Sequence, residues 1–284
     1  MTDEEEPLEV VARVVGKARP VPPTRVVTSD LQGGRFDRRS TMVAFEAVTV
    51  SDVSFAGMRF QELSAEGSCV FSGCDFSRVR SRYMSYLSSA SVQTVYRDCR
   101  FDHADLRDFR PGAARFERCT FDHARLDGWR SDLGEFVDCH FAGKVRNVKF
   151  WGRPYGIVAE KAGVDRPVNE FRGNDFRQAE LINVSLVMGI DLDAQRWPED
   201  PAYIRLDRLG ERVRRVRAEV IHWTDLDARR DALILLEVLQ EGIVDQDQDD
   251  LFTRRANLGR SYRETAERVW DLLATASGSA GAPE

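Results

Sequence analysis

Cysteine and histidine are scarce in this chain, at five and four residues, and long apolar runs are missing altogether. No stretch approaches the roughly twenty apolar residues that cross a bilayer as a helix, and no leader of the signal-peptide kind is evident. With an odd number of cysteines, this points to a reducing, cytoplasmic setting, no membrane and no structural disulfides. A glycine-rich phosphate loop, a nucleophile elbow and a carboxylate pair set for acid–base work are all absent. No catalytic residue, cofactor or metal is therefore expected. Charge of one sign is lacking too: the net charge is −6 over 284 residues, and acids and bases nearly balance across 36–195.

What is present is a period. A large apolar residue returns at every fifth position through Phe71, Phe76, Phe101, Leu106, Phe116, Phe121, Leu126, Phe136 and Phe141. Two positions earlier sits a small residue: Cys69, Cys74, Cys99, Ala104, Ala114, Cys119, Ala124, Gly134 and Cys139. Every cysteine of the chain falls in this set, where it serves as a compact hydrophobe. A helix repeats near 3.6 residues and a strand at two. A spacing of five fits a chain that turns a corner once per repeat and points one large side chain inward. Four corners close a coil, so the likeness should strengthen at twenty residues. It does, in the columns Cys99–Cys119–Cys139, Phe101–Phe121–Phe141 and Tyr96–Phe116–Phe136. Stacked coils about 4.8 Å apart, with backbone groups paired from coil to coil, follow from this.

These residues resemble the pentapeptide-repeat family, whose motif is small–polar–Leu/Phe–x–x. The match spans roughly 36–192 and is most specific in Phe71–Phe76, Phe101–Phe141 and Phe171–Leu186, which brings Phe171, Phe176, Leu181 and Leu186 into the core set. The resemblance implies a mainly β solenoid, a right-handed quadrilateral β-helix; the handedness comes from the resemblance alone. Members with known roles include proteins that bind DNA gyrase and protect it from inhibitors, presenting a DNA-like rod of strong negative charge to a basic groove. This chain departs from that pattern. Its acidic group Asp132, Glu135 and Asp138 is answered by Lys144, Arg146 and Lys149, whereas duplex DNA carries one charge per roughly 1.7 Å.

Taken in order, residues 1–35 read as tail and lead-in: an acidic MTDEEEP start expected to be disordered, a short element over Leu8–Val15 and an extended RPVPP linker. The solenoid is expected over 36–195, with its first coils at Phe45, Val50, Phe55 and Phe60. Phe60 and Phe71 are one residue further apart than two repeats, which asks for one extra residue near Glu66–Gly67. Over 77–95 the motif fades while the count holds at Ser81, Tyr86, Ser91 and Tyr96; imperfect core fillers or a loop of matching length both fit. Gly152, Pro154, Gly156, Gly163 and Pro167 mark an excursion over 152–170, after which Phe171 rejoins on the same count. About seven coils, a rod on the order of 35 Å, are expected.

From Pro201 the spacing becomes helical. The apolar positions predict a helix over 206–220, then one over 225–241 capped by Thr224 and ended by Gly242, with Leu233, Leu236, Val238 and Leu239 inward. A weaker helix is expected over 248–257. Ser261 and Glu264 form a capping box for a last helix carrying Ala266, Val269, Trp270 and Leu273, before a loose tail at 277–284. The helical region, 196–276, is expected to cover the strand edges that the last coil leaves open.

Candidate chemistry is thin. His103 and His123 share an FDH triplet twenty residues apart and should stack on one outer face, near enough to share a metal; a repeat-derived ladder explains them as well. His140 and His222 have no companion. Asp245, Asp247 and Asp249 imitate the opening of a calcium loop, but Asp250 and Ala256 stand where glycine and glutamate are required, so an acidic helix cap is the reading. Arginines 205–217 are interleaved with Asp207, Glu211 and Glu219, which argues against direct nucleic-acid binding. The function expected is a non-enzymatic protein–protein interaction scaffold. Candidate partner contacts are Asp132, Glu135 and Asp138 on the coil and Arg212 and Arg215 on the helices, which are also a candidate homodimer contact. The alternative is a DNA-mimicking modulator of DNA gyrase or topoisomerase, which requires one continuous negative face. A small enzyme hidden in 152–170 and the helices is a third reading and requires a concave polar pocket.

Overall fold

In the computed structural model the residues described are 24–39, 41–257 and 262–276. The expected acidic start, the Leu8–Val15 element, the RPVPP linker, Ser261 and the final tail lie outside them. The chain winds into a four-walled β-solenoid followed by helices. Wall one begins with the parallel strands Arg25–Val27, Met42–Glu46, Glu62–Glu66, Ser85–Tyr86 and Phe109–Arg110. Wall two is a seven-stranded parallel sheet running from Leu31–Gln32 to Phe171–Arg172, one strand per coil. Wall three begins as single bridges from Arg35 through Ser54, Asp75 and Arg100 to Thr120 and broadens into His140–Arg146 and Asp175–Ile182. Wall four pairs Arg59–Phe60 with Arg80–Ser81 and continues by bridges through Asp105 and Arg125.

The columns stack as the twenty-residue period requires. Phe101, Phe121 and Phe141 lie 5.1 and 5.0 Å apart with planes within 7°. Tyr96, Phe116 and Phe136 follow at 5.2 and 5.1 Å. Cys99, Cys119 and Cys139 are buried between them. Leu106, Leu126, Phe171, Phe176, Leu181 and Leu186 are buried in the same core. The extra residue falls where the spacing placed it. Glu46 pairs with Glu66 but Thr49 pairs with Val70, and Gly67 between them takes a φ of 68°.

Two features depart from expectation. The wall begins at Arg25 and not at 36: Val27 and Phe36 are already buried in the first coil, where no five-residue run announces them. Over 77–95 both readings hold in part: the coil runs on through the buried Val79 and the strands Arg80–Ser81 and Ser85–Tyr86, and a loop follows over 87–94. Ser85 and Leu87 point inward, Tyr86 is 46% exposed, and Ser91 sits in a loop that Ser88 closes by accepting from Thr94 N at 3.0 Å and donating to Val92 O at 2.9 Å. The buried Tyr96 hydroxyl then donates to Leu87 O at 2.8 Å.

The excursion contains a short helix, α1 (Gly156–Ala162), whose Ala159 packs on Ala113 and Leu133 of lower coils. Asn169 Nδ2 fastens its end, donating to Asp132 O and Trp151 O at 3.1 and 3.0 Å. At its start, a Cβ on Gly152 would lie 2.7 Å from Ile190 N and Met188 O, so the last coil passes too close for any side chain.

The C-terminal region also differs from its expected layout. Tyr203–Leu206 is a strand, and α2 follows at Leu209–Val220. The cap of α3 (Leu226–Gln246) is Asp225 and not Thr224: its carboxylate accepts from Asp227 N and Ala228 N at 3.0 Å. This helix runs through Gly242, a cost of about 1 kcal/mol that a long helix absorbs, and stops at Asp247 in a left-handed conformation. Leu236 and Leu239 are buried, whereas Val238 is 46% exposed. Residues expected as a third helix instead form the strand Leu251–Arg254, antiparallel to Tyr203–Leu206. The reason is tertiary: Phe252 stacks on Trp197 at 4.5 Å, and Trp197 stacks on Phe176 at 5.1 Å, so this strand prolongs the aromatic column beyond the last coil. Helix α4 (Arg263–Thr275) packs Val269, Trp270 and Leu273 into a core shared with α2 and α3.

Candidate interaction surfaces

Because the inward columns fill the axis, the outward positions are what the solenoid offers to other molecules. Side chains twenty residues apart share a column on adjacent coils, so opposite charges at that spacing meet. Arg97 meets Glu117 at 2.7 Å, Arg118 meets Asp98 at 2.8 Å and Arg125 meets Asp105 at 3.1 Å; one residue short of that spacing, Arg146 meets Asp127 at 2.6 Å. Across a longer step, Arg100 meets Asp75 at 2.9 Å. Walls two and three, and wall four from Asp105 onward, therefore carry alternating charge, not a single sign.

The densest of these groups centres on Arg115, which reaches Glu117 at 2.5 Å, Glu170 at 2.7 Å and Glu135 at 3.0 Å. Burial works against its charge, but the three carboxylates outweigh that and push its pKa up. Hydrogen bonds from Arg115 hold the Glu170 carboxyl below its usual range. Glu117 is lowered as well, burial opposing and the hydrogen bonds from Arg115 and Arg97 prevailing. Glu135 also accepts from Gln93 Nε2 at 2.8 Å and from Glu170 N at 3.0 Å.

This geometry corrects part of the expected contact set. Glu135 is only 6% exposed and is an interior hub partner, not a partner contact. Arg212 is buried as well: its guanidinium donates to Leu273 O at 2.9 Å and to Asp207 O at 2.7 Å, closing the C-terminal end of α4 onto α2. Asp132 is mostly covered and faces Arg130 at 3.5 Å. Asp138 is half exposed with Arg172 at 3.9 Å, and Arg215 is exposed on α2 beside Glu211. The structure does not gather these residues onto one face. Of the expected bases, Arg146 pairs instead with Asp127, while Lys149 lies 4.9 Å over the Trp151 ring and within the field of the Asp132 carboxylate.

His103 and His123 do stack, at 5.3 Å. Both occupy a left-handed corner, with φ of 56° and 53°, and Gly143 takes the next such corner with a φ of 74°. His123 Nδ1 lies 2.6 Å from Asp122 Oδ1. Among the described residues, no group of three or more His, Cys, Asp or Glu could hold a metal. The acidic run at 245–250 caps a helix, though not the one following it. Asp249 Oδ1 accepts from Gly210 N at 2.8 Å and Asp249 O from Leu209 N at 2.7 Å, at the start of α2. Asp247 pairs with Arg153, tying the excursion to the end of α3.

A cleft of about 220 Å³ lies between the last coil and α3, lined by Val184, Leu186, Val238, Ile243 and Asn257 among others. Asp250 is the one ionisable side chain on its lining, and that carboxylate accepts from Arg208 N at 3.3 Å. In the excursion, Arg166 and Asn169 are spent on backbone carbonyls of Asp132, Leu133 and Trp151. Asn183, Ser185, Gln246, Gln248 and Thr253 add uncharged polar groups to the cleft, and Gln248 is held by Ile190 N and O at 2.9 and 3.0 Å. Sequence reading missed the exposed Tyr83, Met84 and Tyr86, since the five-residue count assigned Tyr86 to the core. Among the described residues, no helix is long and apolar enough to cross a membrane.

No protein-family model matches the chain, and no curated protein matches it. Among solved structures, trypsin-treated QnrB1, a plasmid-mediated fluoroquinolone resistance protein, is similar over 62% of this chain and 79% of its own, at 18% identity and a TM-score of 0.23. Full-length QnrB1 covers 58% of this chain and 93% of its own, at 14% identity and a TM-score of 0.16. HetL, a pentapeptide repeat protein involved in heterocyst differentiation regulation from the cyanobacterium Nostoc, covers 57% of this chain and 86% of its own, at 11% identity and a TM-score of 0.18. Likeness of this degree adds nothing to what the coil itself shows.

Proposed function

Because this chain is a solenoid of pentapeptide repeats closed by a helical cap, we propose that it serves as a non-enzymatic protein–protein interaction scaffold in the cytoplasm, with its walls as a rigid platform. The observation that carries this reading is the pairing of a solid aromatic axis with outward ion pairs that lock coil to coil. The axis leaves no substrate cavity, and the register fixes every outward side chain. A pair of copies joined through the cap is part of the proposal, supported by the exposed Ile234 and Val238 one turn apart on α3.

Presentation of a DNA-like face to gyrase or topoisomerase asks for a continuous negative wall. The alternation of Arg97 with Glu117 and of Arg118 with Asp98 supports the scaffold reading instead. The test joins in-cell crosslinking through photoreactive residues placed on each wall to a gyrase supercoiling assay with and without a fluoroquinolone. The expected result is a crosslinked protein partner mapped to one wall and unchanged supercoiling. Inhibition or protection of gyrase at stoichiometric concentration would overturn it in favour of the alternative.

A further inference from the structure

Where wall four begins, and at its corner with wall one, arginines stand without the carboxylate partners that hold Arg97, Arg118 and Arg125. Arg59 and Arg80 are direct register partners on neighbouring parallel strands, so two exposed guanidinium chains rise from one column about 4.8 Å apart. Like charges placed so are destabilising. The next residue in the column is Asp105, but its carboxylate is taken by Arg107 at 2.8 Å and by Arg125 at 3.1 Å. Arg82 follows, 5.4 Å above the Tyr83 ring. Tyr83 and Tyr86 are 51% and 46% exposed, and Tyr86 pairs on the next coil with Arg110. Among the described residues, none of Arg59, Arg80, Arg82 and Arg110 has a carboxylate in ion-pair range, and the nearby acids Glu62 and Asp108 pair with nothing there.

We propose that this arginine–tyrosine patch docks an acidic segment of a partner protein, with an apolar side chain of that segment seated against the two tyrosines. The proposal rests on the scaffold reading and names the chemistry of the partner. Four arginines against Glu62 and Asp108 leave an excess of positive charge on a chain of net charge −6; that excess is complementary to carboxylates, and arginine and tyrosine are among the residue types enriched in protein interface hot spots. The patch is short. From Arg59 to Arg110 it spans little more than two coil steps, roughly 10 Å, which suits a few carboxylates. A nucleic-acid strand gains its affinity from many phosphate contacts, and beyond Arg125 the column continues to Lys144 and its register partner Glu180, where the charge turns.

The experiment pans the full-length protein against a random-peptide display library and measures the enriched peptides by fluorescence anisotropy. Enriched sequences should be rich in Asp and Glu with an aromatic or aliphatic residue. Their affinity should fall about tenfold or more in R80E/R82E and several-fold in Y83A/Y86A, with thermal unfolding unchanged because all four side chains face outward. The patch is overturned by peptides that lack acidic residues, by equal binding to R80E/R82E, by no enrichment at all, or by a single-stranded oligonucleotide of the same charge binding more tightly than any peptide. A partner crosslinked in cells to another wall would keep the scaffold reading while the patch fails.

Discussion

Phe121 touches a ring above and a ring below, at 5.1 and 5.0 Å, and its neighbours Phe116 and Trp129 close it from the sides. Truncating such a ring removes contacts that the stiff coil cannot replace by collapse, so Phe121→Ala should cost about 3–5 kcal/mol in urea unfolding. A cost below about 1 kcal/mol would contradict its central position. At the surface, hydrogen bonds from Arg177 hold the Asp175 carboxyl at about 2, down from an ordinary 3.8, with burial pulling the other way. A depressed folded-state value means that this carboxylate contributes stability above about pH 4, and the contribution is lost as pH falls towards 2. In Arg177→Gln the Asp175 titration, followed by NMR, should return towards the ordinary carboxylate range. An unmoved titration would remove Arg177 as the cause.

At the scale of the element, wall two depends on Arg115, because it neutralises carboxylates contributed by three neighbouring strands and their flanks. Arg115→Gln leaves Glu135 buried with only the distant Arg166 guanidinium, 3.5 Å away, as a charge partner. The expected loss is about 2–3 kcal/mol, below the ~3–5 kcal/mol of a wholly unpaired buried charge. Adding Glu135→Gln should recover part of it, and no recovery would place the cost elsewhere. Elements were legible where a local rule decided them. The five-residue count set the strands around Phe101, Phe121 and Phe141, and the period near 3.6 set α2 and α4. It failed at Leu251–Arg254, because the strand there owes its form to Phe252 lying on Trp197 and Tyr203. It failed at Tyr86 because the loop at 87–94 happens to restore the count.

For the whole molecule the decisive contact is between rod and cap. The column through Phe141, Phe176, Trp197 and Phe252 runs across that junction without a break, and Arg254 pairs with Glu180 of the last coil at 2.9 Å. Truncation at Pro201 should therefore expose Trp197 and the open strand edges and drive association, visible as a rise in mass by light scattering. A truncated rod that stays monomeric would show that the helices do not protect its end.

The sequence by itself determined the coil: its period, the stacking of its columns, the place of its extra residue at Gly67 and the burial of all five cysteines. These are local and repeated properties, so each repeat states them again. Only the tertiary structure decided which charges lie free, that Glu135 and Arg212 are interior, that Asp249 caps α2 and that wall four holds unmatched arginines beside exposed tyrosines. Those depend on which residues of distant coils become neighbours. A single loop of unpredicted length changes that neighbourhood without altering the repeat.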